Sequence, residues 1–183
     1  MFSIWNVSNV PESDWTTVDP TVLNEPKSKY SASYTVYVDM SAKLEQWSKA
    51  SAAAVSNGDT VVCFVSARVK QRLRQTLLNR YSAKTVKYRA FAILVYIAIK
   101  GELLHIKQVV LDQDYTGNEA EVTVRNVLLS LLRKQNPDIP ASFVRFQRVR
   151  GSNADRLARD VYMGKRAPTR VICFSELEPI LGK

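Results

Sequence analysis

The order of apolar and polar positions sharpens at Ser33. "SYTVYVDMS" is rich in β-branched and aromatic residues and predicts a strand. "SAAAVSNGDTVVCFVSA" sets Asn57-Gly58 between two apolar runs, a hairpin signal. The alanines of Leu44 to Val55 also allow a helix there; the hairpin reading, with three successive antiparallel strands, is preferred. Arg68 to Tyr81 places Val69, Leu73 and Leu77 at helical spacing, with Arg68, Lys70, Arg72, Arg74 and Arg80 on the remaining surface. Thr85 to Lys100 is apolar nearly all round and predicts a buried helix. "HIKQVVLDQD" predicts a fourth strand. Asn118 to Gln135 reads as a helix opened by an Asn118-x-x-Glu121 capping box. "SFVRFQRV" is a fifth strand, and "SNADRLARDVYMG" a short helix capped by Ser152 or Asn153. "RVICF" has the composition of a further short strand, and Ser175 to Glu178 opens a terminal helical turn. Met1 to about Ala32, with three prolines and no sustained period, reads as an irregular arm, and residues 33–183 as a single domain.

Three antiparallel strands followed by strand–helix alternation predict an α/β fold, a mixed five-stranded sheet with helices on both faces. If Leu44 to Val55 were helical, a Rossmann-type arrangement would replace it. The 183 residues suffice for one core, and nearly half of them are apolar. The longest apolar run, "AFAILVYIAI", is too short to span a bilayer, so no membrane partner is expected. "MFSIWNVSNVPESDW" lacks a basic n-region and a long h-region, so no signal peptide and a cytoplasmic location are expected.

Charge and chemistry narrow the function. The formal charge of +9 favours a polyanionic partner, DNA or RNA. Cys63 and Cys173 lie in apolar runs and read as small buried hydrophobes. With His105 the only histidine, a Cys/His zinc site cannot be built, and a metal would be held by carboxylates, which selects Mg2+ or Mn2+. No phosphate-binding glycine loop, nucleophile elbow or hydrolase triad is evident. The one Glu-x-Lys, Glu25-Pro26-Lys27, lies upstream of every candidate aspartate, which argues against a restriction-type nuclease.

Asp39 stands between Val38 and Met40 in the first strand, where an unpaired charge is costly. Asp112 ends the fourth strand in "VVLDQ", and Asp155 lies in "SNADRLAR". With the element order, these stretches resemble the ribonuclease H-like fold, most closely its RuvC-like resolvases and nucleases, over about Ser33 to Gly164. The resemblance implies that the first and fourth strands are central neighbours and that Asp39, Asp112 and Asp155 are the catalytic metal ligands. It also implies a divalent-metal-dependent nuclease that hydrolyses phosphodiester bonds by a two-metal mechanism. A resolvase acts through two sites, which implies a homodimer. Ser152 stands where the resolvase helix often carries Asp or His, so Asp114 or Glu119 enters as a substitute ligand, or the site binds without cutting.

Each candidate has a plainer reading. Asp112 and Asp114 are also ordinary turn residues. Asp155 is also an i,i+4 partner of Arg159. Glu119 and Glu121 also suit the first turn of a helix. Arg145, Arg148 and Arg150 precede the Asp155 helix, Arg159 lies on it, and Lys165 and Arg166 follow it. Together with Arg72 they are the candidate nucleic-acid-binding residues. The second function class is a non-catalytic nucleic-acid-binding or assembly protein that keeps the same fold.

Overall fold

The computed structural model describes residues 33–41, 43–57, 60–113 and 117–182. The expected arm, Gly58 of the hairpin turn and Asp114 lie outside the described residues. Strand β1 (Tyr34–Ser41) is followed by β2 (Ser51–Ser56), β3 (Val61–Val65), α1 (Ala67–Leu78) and α2 (Ala83–Ile99). Then come β4 (Ile106–Leu111), α3 (Asn118–Arg133), β5 (Val144–Phe146), α4 (Asn153–Tyr162), β6 (Arg170–Val171) and α5 (Phe174–Leu181). The compact unit they form is Ala32–Lys183.

The strands make one mixed sheet in the order β5-β4-β1-β2-β3-β6. β1–β2 and β2–β3 are antiparallel, whereas β1–β4, β4–β5 and β3–β6 are parallel. The three-strand antiparallel start therefore holds, and the alanines of Ser51–Ser56 are strand residues, not helical ones. Asn57 has a φ of +77°, the left-handed conformation that asparagine tolerates at a turn. The sheet has six strands where the sequence predicts five. The sixth is only Arg170–Val171, fixed to the β3 edge by Thr169, whose Oγ1 accepts from Val62 N at 2.8 Å, and by Ile172 N donating to Phe64 O at 2.8 Å. This strand falls in the run "RVICF" that has strand composition, shortened there to two residues.

Alternation along the strands divides the core into two layers. Val36, Val38 and Met40 of β1, with Ala53 and Val55 of β2 and Val109 and Leu111 of β4, join the large core containing α2 and α3. The apolar run Ala90–Ile99 of α2 is buried throughout, as its sequence predicts. On the opposite face, Ala52, Ala54 and Val62 meet Ala154, Leu157, Ala158 and Val161 of α4. Alanine faces alanine there, which lets α4 lie close to the sheet. No helix of the described residues is long and apolar enough to cross a membrane.

Three local expectations are corrected. α3 is capped by Gly117, at φ +113°, with no side-chain capping bond, so Asn118 begins the helix and the capping box does not form. Cys173 is exposed at the start of α5, because the strand ends at Val171; Cys63 is buried as expected. Lys70 is not on the surface of α1 but fully buried, with its Nζ donating to Ser51 Oγ at 2.7 Å and to Gln46 O at 3.1 Å.

Candidate functional site

Strand pleat and strand order bring the site together. Val38 pairs with Leu111 across β1 and β4, and the next rung is continued by Asp112 N donating to Val38 O at 3.1 Å. Asp39 and Asp112 are thus neighbours, although 73 positions separate them in the sequence. Both fall on the pleat side opposite Val38 and Leu111, which is the α4 side. On its other flank Asp39 is paired with Ala54, which is covered by α4. Asp39 itself is only 7% exposed.

The third aspartate comes from the first turn of α4. Ser152 caps that helix, its Oγ accepting from Asp155 N at 3.3 Å. Packing of Ala154, Leu157, Ala158 and Val161 on the sheet leaves Asp155 and Arg159 at the flank of the helix. A cleft of about 720 Å3 results, lined by Asp39, Asp112 and Asp155 and by four cations, Lys43, Arg148, Arg150 and Arg159. Met40, Ser41, Gln46 and Gln113 complete its walls.

The β5–α4 loop is tied to the carboxylates. Asp112 Oδ1 accepts from Val149 N at 2.7 Å. Asp155 Oδ2 accepts from Gly151 N at 2.9 Å, while its Oδ1 receives Arg159 Nη2 at 3.3 Å. These bonds place Arg148 and Arg150 at the rim. Carboxylate oxygens of Asp39, Asp112 and Asp155 line the cleft beside Ser41, Gln46 and Gln113, and oxygen donors are the kind that hard cations such as Mg2+ take. Asp39 and Asp112 are the adjacent pair among them. Asp155 is turned to Gly151 and Arg159, and among the described residues no group of three His, Cys, Asp or Glu stands ready to hold a metal.

Other predicted residues lie elsewhere. Glu119 is paired with Lys84 at 2.5 Å on the exposed start of α3, raising the Lys84 pKa through that hydrogen bond, and it does not line the cleft. Arg145, opposite Val110 in the register, is exposed on the edge strand β5, on the pleat side that Val110 shares with Asp112. Lys165 and Arg166 are exposed beyond the far end of α4, about 15 Å of helix from its start. Arg72 lies on α1, paired with Glu178 at 3.3 Å and stacked 3.9 Å over the Phe174 ring, away from the cleft.

Lys43 and Gln46 are among the cleft residues that sequence reasoning missed, with Met40, Ser41 and Gln113. The first two lie between β1 and β2, in turns without periodicity, and their one signal is nearness to Asp39 along the chain. No family model, curated protein or solved structure matches this chain.

Proposed function

We propose that the chain is a divalent-metal-dependent nuclease of ribonuclease H-like fold, acting on phosphodiester bonds of nucleic acid in this cleft. The observation that carries the reading is the convergence of Asp39, Asp112 and Asp155 on one cleft whose rim holds four cations. A carboxylate floor repels a phosphate backbone unless a cation neutralises it, and a basic rim attracts the same backbone. Having both in one cleft fits a polyanion that must approach metal-binding carboxylates. The central adjacency of β1 and β4, with three antiparallel strands on one side, supports the fold assignment.

In this reading Asp39 and Asp112 hold Mg2+ or Mn2+, and Asp155 completes the ligand set once it leaves Arg159. The chemistry supplied there by the metal is polarisation of phosphoryl oxygens and activation of water. Arg148 and Arg150, fixed by the loop bonds to Asp112 and Asp155, take the flanking phosphates from one side of the cleft. Lys43 takes them from the β1–β2 connection. Arg145 extends the basic surface along the β5 edge, while Lys165 and Arg166 extend it past the end of α4. A homodimer would supply the paired sites that a branched substrate requires.

A second reading rests on the same bonds. Asp112 and Asp155 both anchor the arginine-bearing loop, and Ser152 serves as helix cap where a resolvase often has a ligand. A non-catalytic nucleic-acid-binding protein would need that much and no more. Mn2+ titration separates the two. The nuclease reading expects saturable binding by the wild-type protein that Asp39→Asn weakens at least about tenfold, since it removes one of two adjacent charges. Absence of saturable Mn2+ binding, with salt-sensitive nucleic-acid binding retained, would leave the second reading in place.

A further inference from the structure

The other face of the molecule carries a separate cleft of about 420 Å3, where the end of α1 meets α2, α3 and α5. That size falls within the range of roughly 300–1,000 Å3 typical of small-molecule sites. Its walls combine Leu77, Ile93, Val127, Leu131 and Ile180 with Arg80, Arg89 and Lys134. Aspartate and glutamate are absent among the described residues that line it. Tyr81 and Val122, 39% and 45% exposed, also line it, so large apolar side chains are left in water at this cleft.

The arginines differ in what they have left to offer. Arg80 is committed to the end of α5, donating to Leu181 O and to Gly182 O. Arg89 is held flat, its guanidinium 3.7 Å over the Tyr81 ring. Its buried Nε has no hydrogen-bond partner among the described residues. That atom lies beneath the surface, so an anionic head would pair with the guanidinium as a whole, which lines a cleft where no described carboxylate competes for it. Hydroxyl and amide groups of Thr123, Asn126 and Ser130 stand along the same cleft.

We propose that this cleft binds a small amphipathic anion, an apolar chain bearing one carboxylate or phosphate group, with its head on Arg89 and its chain along α2, α3 and α5. The site is independent of the nuclease reading. It neither shares residues with the aspartate cleft nor needs a metal.

Calorimetric titration of the full chain with octanoate, octyl phosphate, octanol and acetate tests it. The expected result is one saturable site for octanoate or octyl phosphate, at least about tenfold tighter than octanol, the scale of one charge-assisted hydrogen bond. The tighter of the two anions identifies the head group, and acetate alone binds no more than weakly. Arg89→Gln removes the preference for the anion. Val122→Glu, at an exposed position where folding is not at stake, repels the anions while octanol still binds. Equal binding of octanoate and octanol overturns the proposal. So does anion affinity unchanged in both variants, or no binding by any of the four ligands.

Discussion

Lys70 gives the sharpest quantitative prediction. Its ammonium is fully buried between α1 and the start of β2. Burial pushes its pKa down from 10.5 to about 8, with the Glu45 charge opposing the fall. Below pH 8 both the folded and unfolded chains carry this proton, and holding the charge inside costs at most about 3 kcal/mol. Between pH 8 and 10.5 the unfolded chain keeps the proton and the folded chain does not, so stability rises with pH. From pH 7 to pH 9 the gain is about 1.3 kcal/mol. Cys63, whose thiol burial pushes up from 9.0 to about 11, contributes with the opposite sign from about pH 8 upward, about 0.4 kcal/mol by pH 9, which is why the window stops there. Lys70→Met relieves the buried charge but removes the donor to buried Ser51 Oγ, at about 1–3 kcal/mol, while the carbonyl of exposed Gln46 can turn to water instead. The two effects are of similar size, so the stability at pH 7 changes little while its pH dependence is lost. Urea denaturation at pH 7, 8 and 9, followed by far-ultraviolet circular dichroism, reads this directly. Taking the difference between the two proteins cancels every other group that titrates in the window. A Lys70→Met protein that gains the same 1.3 kcal/mol, or a wild type that gains none relative to it, would refute the reasoning.

Three further predictions concern the cleft. Ala54→Leu forces extra methylenes between β2 and α4, where Ala54 is wholly buried against alanines, and should destabilise by about 1–3 kcal/mol in thermal unfolding. The same change crowds Asp39, its register partner, and should lower Mn2+ affinity more than nucleic-acid affinity. Arg159→Gln frees Asp155 Oδ1 and should tighten Mn2+ binding by about two- to fivefold, the range for losing a partly exposed i,i+4 pair and its charge. Arg156→Gln, which removes the same charge from a side chain bonded to Asn153 instead, should have the smaller effect. Arg148→Ala with Arg150→Ala should reduce nucleic-acid affinity and the salt dependence of binding, leaving thermal stability nearly unchanged because both side chains are exposed.

The strands and the antiparallel start were legible because they follow from period and turn chemistry. β-branched runs gave β1 and β4, and the Asn-Gly turn gave β2 and β3. The place of β4 beside β1, and with it the meeting of Asp39 and Asp112, was expected only through the resemblance; period and connectivity do not specify it. The remainder depends on contacts between segments far apart in sequence. Lys70 lies on the Leu73 and Leu77 side of α1, but only the tertiary structure shows that Ser51 and the Gln46 carbonyl receive its charge there. Gly117 displaced the expected capping box because its left-handed φ turns the chain into α3 one residue earlier. The pairing of Arg72 with Glu178 and its stacking on Phe174 likewise depend on α5, far along the chain. The composition of "RVICF" showed β6, but not its place beside β3, which is fixed by the bonds of Thr169 and Ile172.

The most direct test of the central claim is cleavage with Mg2+ or Mn2+ on single-stranded, duplex, RNA–DNA hybrid and four-way-junction substrates, with Asp39→Asn run in parallel. The account predicts metal-dependent cutting by the wild-type protein that Asp39→Asn abolishes, with the preferred substrate identifying the branch of nuclease. Cutting that persists in full in Asp39→Asn, or no cutting of any substrate despite tight binding, would contradict it.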